Sequence, residues 1–283
     1  MEEIKKMTVD NKQVSNALAT IQNDLKLNTS VLETALNCID LTSLNTHDDD
    51  SDIIKMIEKV NNYKSNYDYK NVAAICVYPN FAKTVKDTLT DENINIAVVS
   101  ASFPSSQTFF SVKLAECELA VSKGANEVDI VLPVGKFLNG KYQEVFNEIF
   151  LIKKTIGDAH LKVILETGIL KNNENIYKAS YIAMEAGADF IKTSTGKLEP
   201  AATPDAVFVM TKAIKDYYTK TGKKIGIKPA GGIATPEDAT LYYNIVKYNL
   251  GEEWLNNKLF RIGASRLANN ILTILEGKKV KYF

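Results

Sequence analysis

Short apolar runs alternate with longer stretches of helical periodicity along most of this chain. The apolar runs cover residues 37–41, 73–77, 94–99, 127–132, 161–165, 190–193, 225–228 and 259–262. Most are continuous rather than alternating, the pattern of parallel strands covered on both faces. Between and after them, helical segments are predicted at 52–65, 80–90, 107–123, 142–157, 173–186, 204–220, 236–249 and 265–276. Ala206, Val209, Met210, Ala213 and Tyr217 form one apolar stripe, and Ile176, Ala179, Ile182, Ala183 and Ala186 form another. Thr203-Pro204 and Thr235-Pro236 read as an N-cap followed by a first-turn proline. Gly124 and Gly187 read as C-terminal caps. Eight strand–helix units in about 250 residues predict a (β/α)8 TIM barrel, an α/β fold. A doubly wound open sheet is the alternative, since counting strands does not establish closure.

Ahead of the repeat, Val14, Leu18, Ile21 and Leu25 recur at helical spacing. They predict an amphipathic helix that caps the barrel bottom or meets a partner subunit. Thr29 or Ser30 is expected to cap a second helix. The expected division is an N-terminal helical extension over residues 1–32 and a barrel domain over 33–283.

Composition changes this picture little. The chain has 283 residues, is 45% hydrophobic, and carries 34 basic and 34 acidic side chains. Zero net charge gives no reason to expect nucleic acid or a membrane surface as a partner. No apolar run approaches the length of a membrane span, and the polar N-terminus does not read as a signal peptide. Cys38, Cys76 and Cys117 lack metal-ligand spacing and read as reduced thiols of a cytoplasmic protein. His47 and His160 are the only histidines, so no metal site is expected. His47-Asp48-Asp49-Asp50 reads as a solvated loop with a helix cap at Asp50 or Ser51, and His160 as a turn residue.

The chemistry is expected at the C-terminal ends of the strands. Phe190-Ile191-Lys192-Thr193-Ser194-Thr195-Gly196-Lys197 ends a strand in a lysine, then offers hydroxyls, a glycine and a second lysine. Lys228 ends the next strand, in Gly226-Ile227-Lys228-Pro229-Ala230-Gly231-Gly232. Asp40 and Thr42 lie at the first strand, and Glu166 ends the fifth. Asp129 sits inside an apolar run, where an unpaired carboxylate costs several kcal/mol. A structural ion pair explains Asp129 alone. With Lys192 and Lys228 at the same mouth, a second explanation opens. One ammonium depresses the pKa of the other, and the carboxylate relays protons, as an imine-forming amine requires. Gly231-Gly232 and Gly263-Ala264-Ser265 follow strands seven and eight. They serve tight turns or, with Thr195 and Lys197, the phosphate position common in such barrels. Cys76 faces the site or is an ordinary buried strand cysteine.

These residues resemble deoxyribose-phosphate aldolase, a class I aldolase family. The likeness is carried by residues 190–197, by Glu127-Val128-Asp129-Ile130-Val131 and by Lys228-Pro229-Ala230-Gly231-Gly232. Asp40-Leu41-Thr42, Ala74-Ile75-Cys76-Val77-Tyr78-Pro79, the run 161–168 and Arg261-Ile262-Gly263-Ala264-Ser265 extend it. It runs in order from about residue 33 to the end. The resemblance implies reversible cleavage of 2-deoxy-D-ribose 5-phosphate to D-glyceraldehyde 3-phosphate and acetaldehyde. It implies Lys192 as the Schiff-base lysine, Lys228 as the tuning charge and Asp129 as the proton relay. Thr195, Lys197, Gly231, Gly232, Gly263 and Ser265 are the implied phosphate contacts, with Asp40, Thr42 and Cys76 as further substrate-side residues. No metal or organic cofactor is implied, because the iminium is the electron sink, and family members are commonly homo-oligomers, often dimers. Two features depart from the pattern. The chain ends Tyr282-Phe283 where a terminal tyrosine is usual, and Arg266 stands where relatives carry a small hydroxyl residue. Two alternatives stay open: a catalytically silent phosphosugar-binding barrel, and a class I aldolase or transaldolase for another phosphosugar.

Overall fold

The computed structural model describes residues 2–283. Three helices come first: α1 (Glu2–Lys5), α2 (Asn11–Asn23) and α3 (Thr29–Asn37). The repeat then runs β1 (Ile39–Thr42), α4 (Asp50–Asn61), β2 (Ala74–Val77), α5 (Ala82–Thr88), β3 (Asn95–Ser100), α6 (Phe110–Ser122) and β4 (Glu127–Val131). It continues through α7 (Val134–Leu138), α8 (Tyr142–Ile156), β5 (His160–Ile164), α9 (Thr167–Leu170), α10 (Asn173–Glu185), β6 (Phe190–Lys192) and α11 (Pro204–Thr221). It ends with β7 (Gly226–Lys228), α12 (Pro236–Leu250), β8 (Ile262–Ala264) and α13 (Leu267–Glu276).

All eight strands pair in parallel, in the order β7-β6-β5-β4-β3-β2-β1-β8. Bridges from Ile227 to Phe260 and from Ala230 to Gly263 join the two ends. That ring is a (β/α)8 barrel and excludes the open sheet.

The side chains divide into two regions. Ile75, Val77, Val98, Val128, Ile130, Val163 and Ile191 point outward into one large apolar core against the helices. Inside the barrel, Ala74, Cys76, Ala97 and Val99 line an apolar side on β2 and β3. The rest of the lumen carries charge, because Asp40, Glu127, Asp129, Lys162, Lys192 and Lys228 are all buried. Outward burial of apolar surface stabilises the strands; each fully buried Val or Ile contributes about 1.5–3 kcal/mol. The inward positions are thereby left for function.

Several boundaries differ from the expectation. Asp49, not Asp50 or Ser51, caps α4, its carboxylate accepting from the Asp52 amide. Asn28, not Thr29 or Ser30, caps α3. The last strand begins at Ile262, later than predicted, because Leu259 still belongs to a turn and Phe260 makes only an isolated bridge to Ile227. The short helices α7 and α9 carry too few turns to give a periodic pattern. Thr203 and Thr235 cap α11 and α12 as expected, the latter in a full capping box with Asp238. The amphipathic α2 buries Val14, Ala17, Leu18 and Ile21. It packs on the barrel's own helices α11 and α12, and α3 packs on α12 and α13.

Candidate active site

Each strand is too short to hold more than two or three inward side chains, so register decides what meets. Asp129 on β4 stands opposite Lys162 on β5, and Lys192 on β6 opposite Lys228 on β7. The four groups converge. Asp129 Oδ2 accepts from Lys192 Nζ at 2.8 Å and from Lys228 Nζ at 2.7 Å, while Oδ1 accepts from Lys162 Nζ at 3.0 Å. Asp40 on β1 lies 2.5 Å from Lys228 Nζ and 3.5 Å from Lys162 Nζ.

This network continues downward. Lys162 also donates to Glu127 at 2.5 Å. Arg261 Nη1 donates to Asp40 Oδ1 at 2.7 Å and to Glu127 Oε2 at 3.1 Å, and Nη2 to Glu127 Oε1 at 2.8 Å. His160 is not a turn residue. It opens β5, and its Nδ1 lies 3.7 Å from Glu127 at the far end of the barrel.

Burial raises the energy of every charge here, and pairing decides which charges persist. Burial would raise Asp129, yet Lys162, Lys192 and Lys228 together hold it well below the usual carboxylate range. Burial opposes the charge on Lys228, but Asp129 and Asp40 outweigh it and its pKa is raised. Lys162 is raised against burial by Asp129, Glu127 and Asp40. Glu127 is brought down to about 2: burial opposes this, and Lys162 overcomes it with help from His160 and Arg261. Lys192 differs. Burial lowers it, Asp129 is its one carboxylate partner, and Lys228 adds to the fall, so its pKa is lowered.

Above this network a cavity of about 510 Å³ opens at the C-terminal ends of β1, β6, β7 and β8. Lys192 forms part of its floor. Thr42, Thr195, Lys197, Gly231, Gly232, Gly263 and Ser265 line it, as do Arg266, Met56 and Phe283. Gly231 and Gly232 adopt positive φ, +87° and +77°, which turns their backbone toward the opening. Thr195 is tied down: its hydroxyl donates to Glu166 at 2.6 Å and its amide to the same carboxylate at 3.2 Å. Glu166 therefore clamps the β6 loop instead of joining the mouth. Lys197 Nζ donates to the Leu44 carbonyl at 2.6 Å. Asp40 and Cys76, expected on the substrate side, lie fully buried in the lumen and do not line the cavity. Tyr282 points away, its hydroxyl donating to the Lys59 carbonyl at 2.7 Å.

Lys162, Glu127 and Arg261 carry half of this network and had no assigned role from sequence. A signal was available for all three: each is a charge within one of the predicted runs 161–165, 127–132 and 259–262.

A (β/α)8 barrel with a buried lysine–carboxylate network beneath a cavity at its strand ends is the class that fold and site define. Residues 34–248 match the model of the DeoC/LacD family aldolases. The chain is 43% identical to the deoxyribose-phosphate aldolase of Homo sapiens, over 84% of this chain and 78% of that one. It is 42% identical to the Mus musculus protein of the same name, with the same coverage. Among solved structures, QR15, an aldolase, superposes with a TM-score of 0.70 at 29% identity, covering 86% of this chain and 96% of that one. A deoxyribose phosphate aldolase from Aeropyrum pernix, described as tetrameric, shares the fold with a TM-score of 0.66 at 22% identity, covering 91% and 97%. The chain belongs to the DeoC/LacD aldolase family and is a lyase.

Proposed function

We propose that the chain cleaves 2-deoxy-D-ribose 5-phosphate reversibly to D-glyceraldehyde 3-phosphate and acetaldehyde through an imine on Lys192. The observation that carries this reading is the sharing of one Asp129 oxygen by two lysines, of which only Lys192 lines the cavity and has a lowered pKa. A neutral Lys192 adds to the C1 aldehyde of the open-chain sugar, and the carbinolamine loses water to give the iminium. Deprotonation of the C3 hydroxyl then breaks the C2–C3 bond. Its electron pair moves onto the iminium, leaving an enamine on Lys192 and releasing glyceraldehyde 3-phosphate. Protonation at C2 gives the acetaldehyde iminium, and its hydrolysis consumes one water, in place of the one released earlier, to free acetaldehyde and the Lys192 amine. Asp129 is the group within reach to move these protons, through a water. Lys228 stays charged and holds the Lys192 amine neutral.

The phosphate is assigned to Gly231, Gly232, Gly263, Ser265, Thr195 and Lys197. Thr42 lines the same cavity. The identity to named deoxyribose-phosphate aldolases supports the substrate.

The same reading takes the protein as a homo-oligomer, most simply a dimer. Exposed Phe109, Val112 and Leu119 around α6 favour self-association, and sedimentation measures it. A cytoplasmic setting agrees with three buried, unpaired cysteines. No helix among the described residues is long and apolar enough to cross a membrane.

Borohydride reduction in the presence of 2-deoxyribose 5-phosphate, read by peptide mass, tests the chemistry. An adduct on Lys192, lost in Lys192→Met, is expected together with acetaldehyde release by the unmodified enzyme. An adduct on Lys228 reverses the lysine roles. No adduct from folded protein that binds the sugar phosphate points to a silent binding barrel. Cleavage of fructose phosphates in preference points to another aldolase.

A further inference from the structure

Seven ionisable groups are packed into the lumen, each at most 3% exposed. Four are cations, Lys162, Lys192, Lys228 and Arg261. Three are anions, Asp40, Glu127 and Asp129. Cys76 shares the lumen and Cys38 lies beside Arg261, and burial keeps both thiols neutral. β3 (Asn95–Ser100) carries no ionisable side chain, and Ala97 and Val99 are what it packs into the apolar side of the lumen. Glu166, buried above them at the end of β5, is spent on the Thr195 amide and hydroxyl, so the lumen set holds one positive charge too many, in a medium where a surplus charge is costly.

One proton must leave most easily, and the contacts say which. Arginine does not deprotonate in proteins. Lys162 has three carboxylates, at 2.5, 3.0 and 3.5 Å. Lys228 has two, at 2.5 and 2.7 Å. Lys192 has one, at 2.8 Å.

We infer that Arg261 is a positioning residue that keeps the Lys192 amine neutral from below, by holding the lumen one cation in excess. Its guanidinium touches neither Lys192 nor the cavity. It fixes Asp40 Oδ1 and both oxygens of Glu127, leaving Asp40 Oδ2 to Lys228. The Phe190 ring, 5.7 Å from its centre, and the Asn257 carbonyl complete its seat. Without this charge the count is three against three, and Lys192 retains its proton. The inference rests on Lys192 as the nucleophile.

The test follows the titration of Lys192 two ways: the acid limb of kcat/KM against pH, and the rate of Lys192 carbamylation by cyanate against pH, read by peptide mass. Both use the full chain in a His160→Gln background, which removes the imidazole facing Glu127. Arg261→Met is expected to move both midpoints up by about one pH unit, the size of one charge removed from a partly screened interior. Arg261→Lys restores the count and returns both midpoints toward the parent value, although the two-pronged contact to Glu127 is lost. Glu127→Gln raises the surplus to two and moves them down. It decides the matter if Arg261→Met does not fold. A purely structural role for Arg261 lowers the rate at every pH and leaves the midpoints where they were; that result overturns the inference. If the parent protein forms no borohydride adduct on Lys192, the reading beneath it fails instead.

Discussion

Lys192 and Lys228 donate to the same oxygen of Asp129, at 2.8 and 2.7 Å. Their symmetry ends there. Lys228 has Asp40 as a second carboxylate at 2.5 Å, while Lys192 has none and faces the cavity. Burial penalises both ammonium groups, and the extra carboxylate leaves the pKa of Lys228 raised while that of Lys192 is lowered. Two lysines on neighbouring strands are thus shifted in opposite directions, and Asp40 on β1 is the carboxylate that only one of them reaches.

Lys228→Met removes the charge that helps depress Lys192. The attacking amine must be neutral, so activity rises with pH through the pKa of Lys192. Raising that pKa moves the acid limb of the kcat/KM profile to higher pH. A shift of about one unit or more is expected, with roughly tenfold loss near neutrality that is partly regained in alkali. A loss that is equal at all pH values would assign Lys228 to another task.

Asp129→Asn keeps the shape of the side chain and removes its charge. Proton transfer by a placed side chain is worth about 10²–10⁴-fold, and kcat is expected to fall within that range. Three lysines also lose their common partner, so the thermal midpoint should drop, consistent with the roughly 3–5 kcal/mol cost of breaking a buried pair. Substrate binding, followed by calorimetry on the folded variant, should persist, because the cavity wall is intact. Unchanged turnover would remove Asp129 from the proton path.

The barrel was legible because its outward strand faces are apolar and its helices carry clear stripes. Lys192, Lys228 and Asp129 were legible because charge inside an apolar run is expensive without a purpose. Lys162 meets the same criterion in Leu161-Lys162-Val163-Ile164, and its register with Asp129 is what gives it meaning. Arg261 lies in the predicted run 259–262, but what it joins was hidden: its partners Asp40 and Glu127 are 221 and 134 residues away. Which strand-end carboxylate enters the mouth was equally hidden: Glu166 turns back to Thr195 from a left-handed backbone, φ +55°, that no apolar pattern reports.

The chain's last tyrosine offers a clean negative. Tyr282 Oη donates to the Lys59 carbonyl and accepts from Asn66 at 3.3 Å, within an aromatic group of Tyr63, Tyr67 and Phe283. Tyr282→Phe is expected to leave kcat within about twofold and to lower stability by about 0.5–1.5 kcal/mol, the value of an ordinary hydrogen bond. A tenfold fall in kcat with KM unchanged would mean that the tail leaves this dock during turnover.

Gly231 and Gly232 separate two effects at the end of the cavity to which we assign the phosphate. Both have positive φ, so alanine strains the backbone at either position by about 1–3 kcal/mol. A Cβ on Gly232 meets nothing within 4 Å, whereas one on Gly231 falls 2.7 Å from the Ala201 side chain and 3.1 Å from the Gly196 backbone. Gly231→Ala must therefore push the β7 loop away from the β6 loop, which Glu166 holds through Thr195. Its KM for 2-deoxyribose 5-phosphate is expected to rise about tenfold or more, with kcat less affected, because the loops bind the remote end of the substrate while Lys192 stays in place. Gly232→Ala should show the smaller rise that strain alone produces. Steady-state kinetics on both variants reads the difference. Equal KM values for the two would mean that the contact between the loops does not shape the phosphate end.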